Sequence, residues 1–253
     1  MKFLKIALAA LFLAAFVFAS VAFAQQKPAA GAAPAQQMTG IMMMQVKPGM
    51  GLEWENYMKN QLIPAAKKGG MKQLGAWKTR EFGIGDRYIF TWPIASLAEL
   101  DGPDPFEKSL GPDGAIMLLA NIQRCVEGVR TFMLTELSDL SIPPKPGYVP
   151  KFGVLVTVTV APGRTDEYEK TAKEMQGVMA KTNAKAYLIG KVFLGGNPNQ
   201  YLTSVALDNF ADLATFGQLF VKAMAESKMS LQPGVTTNIL YEVYAAIPEL
   251  SIQ

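Results

Sequence analysis

Val154-Leu155-Val156-Thr157-Val158-Thr159-Val160 alternates strictly, with valines on one face and Leu155, Thr157 and Thr159 on the other, and Pro162-Gly163 follows it. That is the period of a β-strand running into a turn. The chain contains the same passage once before. Met42, Met44 and Val46 stand for the valines, Ile41, Met43 and Gln45 for the opposite face, and Pro48-Gly49 closes the strand 114 positions earlier. Glu53, Glu55 and Lys59 precede Glu167, Glu169 and Lys173 by the same 114, and Tyr88 precedes Tyr201 by 113. Ser96-Leu97-Ala98-Glu99-Leu100 answers Asn209-Phe210-Ala211-Asp212-Leu213. A period this long marks a duplicated domain rather than a stack of short repeats.

Each copy reads strand, helix, strand, strand, helix, strand. Trp54, Met58, Leu62 and Ala65, and in the second copy Tyr168, Ala172, Met175 and Met179, fall at helical spacing, so each first helix lays one apolar stripe on a sheet. These helices are expected over 52–68 and 165–181, with Pro64 kinking or shortening the first. Gly-rich turns at 82–86 and 195–199 join the next two strands as hairpins. Phe210, Leu213, Phe216, Phe220 and Met224 give the second copy a clean second helix. Its counterpart is interrupted by Gly102-Pro103-Asp104-Pro105 and Gly111-Pro112-Asp113-Gly114, which predicts two helical pieces. The repeats are placed at 40–136 and 152–247. A Pro-rich linker at 137–151 separates them and a tail at 248–253 follows.

The N-terminus reads as an address. Lys2 and Lys5 precede the apolar run from Ile6 to Phe18, and Ala22-Phe23-Ala24 is a small-residue cleavage site. This predicts a signal peptide over 1–24, cleavage after Ala24 and a periplasmic or secreted mature protein with no transmembrane span. Residues 25–39, rich in Ala, Gln and Pro, are expected to be a flexible leader. Removing Lys2 and Lys5 takes the formal charge from +3 to +1. That balance offers no electrostatic footprint for nucleic acid.

The chain has no histidine and one cysteine, Cys125. Ser-His-Asp and Cys-His catalysis, His-ligated zinc and proximal-His haem are thereby excluded. Cys125 cannot form an internal disulfide and reads as a small buried hydrophobe. No glycine spacing suits a phosphate loop. No cofactor and no metal are expected. The run Met42-Met43-Met44 sends its thioethers to two faces, as core filling does, rather than gathering them as soft-metal ligands.

A βαββαβ unit is the ferredoxin-like motif, whose sheet carries helices on one face only. Through its Pro48-Gly49 and Pro162-Gly163 openings, the third strands Tyr88-Ile89-Phe90-Thr91-Trp92 and Tyr201-Leu202-Thr203-Ser204-Val205, and the helix starts at Leu97 and Phe210, the chain resembles a tandem member of the dimeric α+β barrel superfamily. The resemblance spans nearly all of 40–246. It implies an α+β fold: two tandem ferredoxin-like repeats whose antiparallel sheets pack into an intrachain barrel. The superfamily includes antibiotic-biosynthesis-type monooxygenases, chlorite dismutase relatives, stress-responsive barrels and NIPSNAP-like proteins. It implies small-molecule binding inside the barrel or between helices and sheet. Its haem branch does not fit a chain without histidine.

Candidate binding residues come from the residues themselves. Met43, Gln45, Thr157 and Thr159 occupy the strand face opposite the helices, where polar groups suit a ligand-sized cavity. Trp77, Tyr88, Tyr187 and Tyr201 could wall a flat apolar ligand. Arg130 and Lys191 lie among apolar neighbours and could anchor an acidic group. The expected function is an exported small-molecule-binding barrel, with cofactor-independent oxygenase-type chemistry on a hydrophobic substrate as its enzymatic form. The alternative is a non-catalytic interaction module of the cell envelope. A small hydrophobic ligand is the expected partner, and a homo-oligomer is compatible with the sequence.

Overall fold

The computed structural model describes residues 37–229 and 232–252. The signal peptide and most of the leader lie outside them. The first copy comprises β1 (Met38–Val46), α1 (51–68), β2 (Gly75–Thr79), β3 (Arg87–Ile94), α2 (Pro105–Arg124) and β4 (Val126–Glu136). The second comprises β5 (Phe152–Val160), α3 (Thr165–Met179), β6 (Ala186–Leu194), β7 (Gln200–Leu207), α4 (Phe210–Ser227) and β8 (Thr236–Ala246). Strand β1 begins two residues inside the stretch assigned to the leader, and Thr39 is fixed there by donating to Glu136 at 2.5 Å.

Eight antiparallel strands close into a barrel in the order β1-β3-β2-β8-β5-β7-β6-β4. Each copy contributes four neighbouring strands, β4-β1-β3-β2 and β8-β5-β7-β6. The seams are hydrogen-bonded: β2 pairs with β8 through Trp77↔Ala246, Lys78↔Ala245 and Thr79↔Tyr244, and β4 with β6 around Leu134↔Val192. Closure leaves no unpaired sheet edge.

Helix α1 is one run in three parts: Gly51–Tyr57, a π-helical stretch Met58–Leu62, and Ile63–Lys68. Pro64 does not shorten it: the helix runs on to Lys68, and the distortion is a π-helical turn just before the proline. The wider stretch, in which Ile63 donates to the Met58 carbonyl, absorbs the conflict that a proline creates with the preceding turn. In the first copy a short 3-10 turn, Leu97–Asp101, precedes α2. The second expected break is a kink within α2 at Gly111, whose φ of 72° leaves the helical region and lets Pro112 start a new turn.

Among the described residues, three apolar clusters form the core. One lies between α1, α2 and their sheet around Trp54, Met58, Tyr88 and Phe90. A second occupies the matching layer of the other copy around Val158, Ala172, Tyr187 and Tyr201. The third is the barrel interior: Ile41, Ile89, Phe132, Leu134, Val192, Leu202 and Tyr244, with Met43, Trp77 and Leu155 against it. The repeat extends beyond the expected boundaries. Ser138–Leu140 and Pro248–Leu250 are equivalent 3-10 turns, and Ile142 and Ile252 form equivalent bridges to Tyr187 and Leu74. The segments read as linker and tail therefore pack crosswise. Leu137, Leu140 and Ile142 join the second copy's cluster, and Leu250 and Ile252 the first copy's.

Candidate functional site

Strands β1 and β5 both run toward one barrel end, so the copies are related about the barrel axis and their equivalent residues meet at one mouth. By register, Gln45 lies beside Arg87 and Gly128, Met43 beside Arg130, Thr157 beside Leu240, and Thr159 beside Gln200 and Asn238. All of these alternate in phase with the interior cluster. The inward side chains grade from closed to open. Ile41, Ile89, Phe132 and Leu202 are buried, whereas Gln45, Arg87, Thr157, Thr159 and Gln200 are half-buried and Arg130 is exposed. Leu240, although inward-facing, is 38% exposed. The middle of the barrel is a filled core, and the mouth is a polar vestibule standing on an apolar floor.

The two sides of this vestibule have diverged. On one side Arg87 Nη1 donates to both oxygens of Glu242, at 3.1 and 3.0 Å, and Glu242 is only 2% exposed. The Ile84 amide and the Tyr244 hydroxyl, each at 3.2 Å, complete the carboxylate's partners. Burial, and then the charge of Glu242, push the Tyr244 phenol well above its ordinary range. At the equivalent positions of the other side stand Gln200, Phe132 and Leu134, an uncharged answer to the same geometry. There Arg130 Nη2 donates to Gln200 Oε1 at 2.7 Å, and its guanidinium lies 4.7 Å from the centre of the Phe132 ring. Arg87 has its carboxylate; Arg130 has no acidic partner among the described residues. Gln45 donates to the Gly85 carbonyl at 2.6 Å, while its Oε1 is buried without a partner.

The expected site residues divide between two places. Met43, Gln45, Arg130, Thr157 and Thr159 belong to the vestibule and its floor, and Trp77, half-buried, packs against the barrel-interior cluster. Tyr88, Tyr187, Tyr201 and Lys191 point the other way, into the helix–sheet layers. There Tyr88 donates to Glu55 Oε1 at 2.5 Å and Lys78 to the same oxygen at 3.0 Å. The second copy repeats this geometry: Tyr201 reaches Glu169 Oε1 at 2.6 Å and Lys191 reaches it at 3.1 Å. Lys191 is thus committed to a carboxylate and is not free to anchor a ligand. The neighbours match too, with the tilted ring of Trp54 centred 4.0 Å from that of Tyr88 and Tyr168 4.5 Å from Tyr201.

The electrostatics of these duplicated triads are static. Burial opposes ionisation of Glu55 and Glu169, but the tyrosine and lysine hydrogen bonds and the lysine charge outweigh it and hold both carboxyls below the ordinary 4.5. Burial and the adjacent carboxylate push Tyr88 and Tyr201 far above the usual phenol range. An ionised Glu beneath a neutral Tyr clamps a helix to its sheet and offers no base near neutral pH. Cys125 is fully buried, and burial raises its thiol, so it is no nucleophile.

The sequence reading passed over Arg87, Glu242 and Gln200 as site residues, and over Glu55 and Glu169 as partners of the tyrosines. The repeat offset could have found the triads, since Glu55, Lys78 and Tyr88 all have equivalents 113 or 114 positions on. Nothing in the sequence aligns Arg87 with Glu242, because their pairing crosses the β2–β8 seam. Two open surface grooves, of about 490 and 530 Å³, lie on α1 and between α1 and α2. None of the ten expected residues lines either one. The vestibule, which gathers inward-facing charge at the copy–copy junction, is the stronger chemical site.

No protein-family model matches the chain, and no curated protein matches it. Solved structures do. An anthrone oxidase-like protein superposes with a TM-score of 0.59 at 11% identity, over 85% of this chain and 92% of that one. A candidate monooxygenase from Lactobacillus acidophilus gives 0.54 at 12% identity, over 83% and 94%. A mutant chlorite dismutase from Candidatus Nitrospira defluvii gives 0.53 at 7% identity, over 84% and 92%. The chain shares the fold of these proteins, an antiparallel barrel with helices packed outside it, here closed within a single chain. At these identities the likeness establishes the fold alone.

Proposed function

We propose that this chain is an exported small-molecule-binding barrel whose vestibule receives the ligand, and that its enzymatic form is oxygenase-type chemistry on a hydrophobic substrate without a resident cofactor. The observation that carries the reading is the graded interior: a solvent-reached polar rim of Gln45, Thr157, Thr159, Gln200 and Arg130 above a sealed apolar floor. Small-molecule sites have this composition, mostly apolar with a few placed polar groups. The anthrone oxidase-like and monooxygenase-type neighbours support the choice of chemistry, in which the protein desolvates and orients a substrate that itself reacts with oxygen.

Two measurements test this. Native mass spectrometry of protein purified from its own cell envelope should show a mature chain beginning at Gln25 with a small molecule attached. Oxygen uptake with anthrone should exceed the uncatalysed rate. Empty protein together with no accelerated uptake would sink the reading.

A further inference from the structure

We infer that Arg130 is the specificity determinant of the vestibule and that the ligand is a small apolar carboxylate, its acid group on the guanidinium and its body against the apolar wall. This rests on the vestibule as the binding site. Arg87 and Arg130 both face the mouth, but the carboxylate of Glu242 is spent on Arg87. Among the described residues Arg130 meets only a neutral amide oxygen and an aromatic face, so the mouth keeps one guanidinium without a carboxylate among them. A guanidinium without a counter-charge favours a carboxylate, which it can hold through paired, charge-assisted hydrogen bonds.

Its position is built rather than accidental. Gly196, in the turn over Arg130, leaves the guanidinium its room, since a Cβ there would lie 2.7 Å from Nη2. The equivalent Gly83 sits 113 positions earlier in the turn over Glu242, where a Cβ would lie 3.3 Å from that residue's Cβ. Each turn thus closes on one inward charge, and only the one over Arg130 is unneutralised. The residue equivalent to Arg130 is Leu240, whose exposed, inward side chain supplies an apolar surface on the other side of the mouth. Gln45, which pairs with Gly128 two residues before Arg130 on β4, carries a buried amide oxygen with no partner among the described residues. The vestibule therefore reads a molecule with an acid at one end and an apolar body at the other.

The test compares 2-naphthoate with neutral, isosteric 2-naphthamide by isothermal titration calorimetry on the mature protein. Wild type should prefer the naphthoate by about tenfold to a hundredfold. Arg130→Gln should erase that preference by weakening naphthoate far more than naphthamide, and Arg130→Lys should retain part of it. Gly196→Ala, which keeps the guanidinium but displaces it, should weaken naphthoate and leave naphthamide unchanged; circular dichroism checks that each variant is folded. Naphthamide binding as tightly as naphthoate, or a preference that survives in Arg130→Gln, overturns this inference and leaves the vestibule reading standing. Failure of both probes to bind wild type overturns the two together.

Discussion

At the scale of single residues, duplication supplies an internal control, because each copy answers the same geometric problem with its own side chains. Glu242 is buried and depends on Arg87, whereas its equivalent Phe132 needs no counter-charge. Removing one partner of a buried ion pair strands the other and costs about 3–5 kcal/mol, while replacing both with apolar or neutral groups can be free. Arg87→Gln alone should therefore destabilise the protein by roughly that 3–5 kcal/mol in urea unfolding. Arg87→Gln combined with Glu242→Phe, which copies Gln200 and Phe132, should recover most of the loss. Additive losses in the double variant would mean that the two side chains are not coupled. The tyrosine clamps give a second residue-scale expectation. Glu55 and Glu169 have lowered pKa values in the folded state, so the folded protein binds fewer protons than the unfolded chain. Their contribution is full above the ordinary 4.5 and drains away as pH falls below it. Tyr88→Phe and Tyr201→Phe should each cost about 1.5 kcal/mol at neutral pH. The double variant should show a shallower fall of the urea midpoint between about pH 6 and pH 3 than wild type does. Unequal single effects would show that the shared geometry does not carry a shared energy.

At the scale of elements, the crosswise turns matter most. Leu250 is 1% exposed and packs in the first copy's cluster, although it follows the last strand of the second. Leu250→Ala removes a buried side chain and should cost about 2–5 kcal/mol, whereas truncation at an uninvolved tail would cost nothing. A thermal melt unchanged by this substitution would mean that the 248–252 segment is not part of the core. The alternation of Val154 to Val160, the helical stripes and the paired Pro-Gly turns made all eight strands and four main helices legible, because each carries a period that local physics enforces. The π-helical stretch before Pro64 was not legible as such: proline announces a conflict but not which of kink, break or widening resolves it. The Leu140-Ser141-Ile142 and Leu250-Ser251-Ile252 equivalence was present in the sequence, but four nearby prolines gave the first of these segments the look of a linker. For the site, alternation placed Met43, Gln45, Thr157 and Thr159 on the inward face. The same alternation sends Tyr88, Tyr201 and Lys191 outward, and their pairing with Glu55 and Glu169 depends on how each helix lies on its sheet.

At the scale of the whole molecule, the seams decide how the two copies share stability. The edges of each four-stranded sheet find their hydrogen bonds only in the other copy, and each copy's apolar layer receives the other's terminal turn. A half unfolding alone would expose two bare strand edges and strip Leu250 and Ile252, or Leu137, Leu140 and Ile142, from the half left behind. The barrel core around Ile41, Ile89, Phe132, Val192, Leu202 and Tyr244 draws on both copies and would open as well. Losses on that scale exceed the margin by which a domain is stable, so the halves should unfold together despite having the size and topology of separate domains. The chain carries its own reporter for this. Trp54, Trp77 and Trp92 all belong to the first copy, and of these Trp54 and Trp92 pack in that copy's own helix–sheet layer, so in a Trp77→Phe background tryptophan fluorescence follows that copy, whereas far-ultraviolet circular dichroism follows both. The two signals should trace one coincident transition in urea, and Leu250→Ala should move both midpoints equally. A circular dichroism change that begins before or continues after the fluorescence change would show the second copy unfolding on its own, and the intrachain barrel would then be two docked domains rather than one cooperative unit.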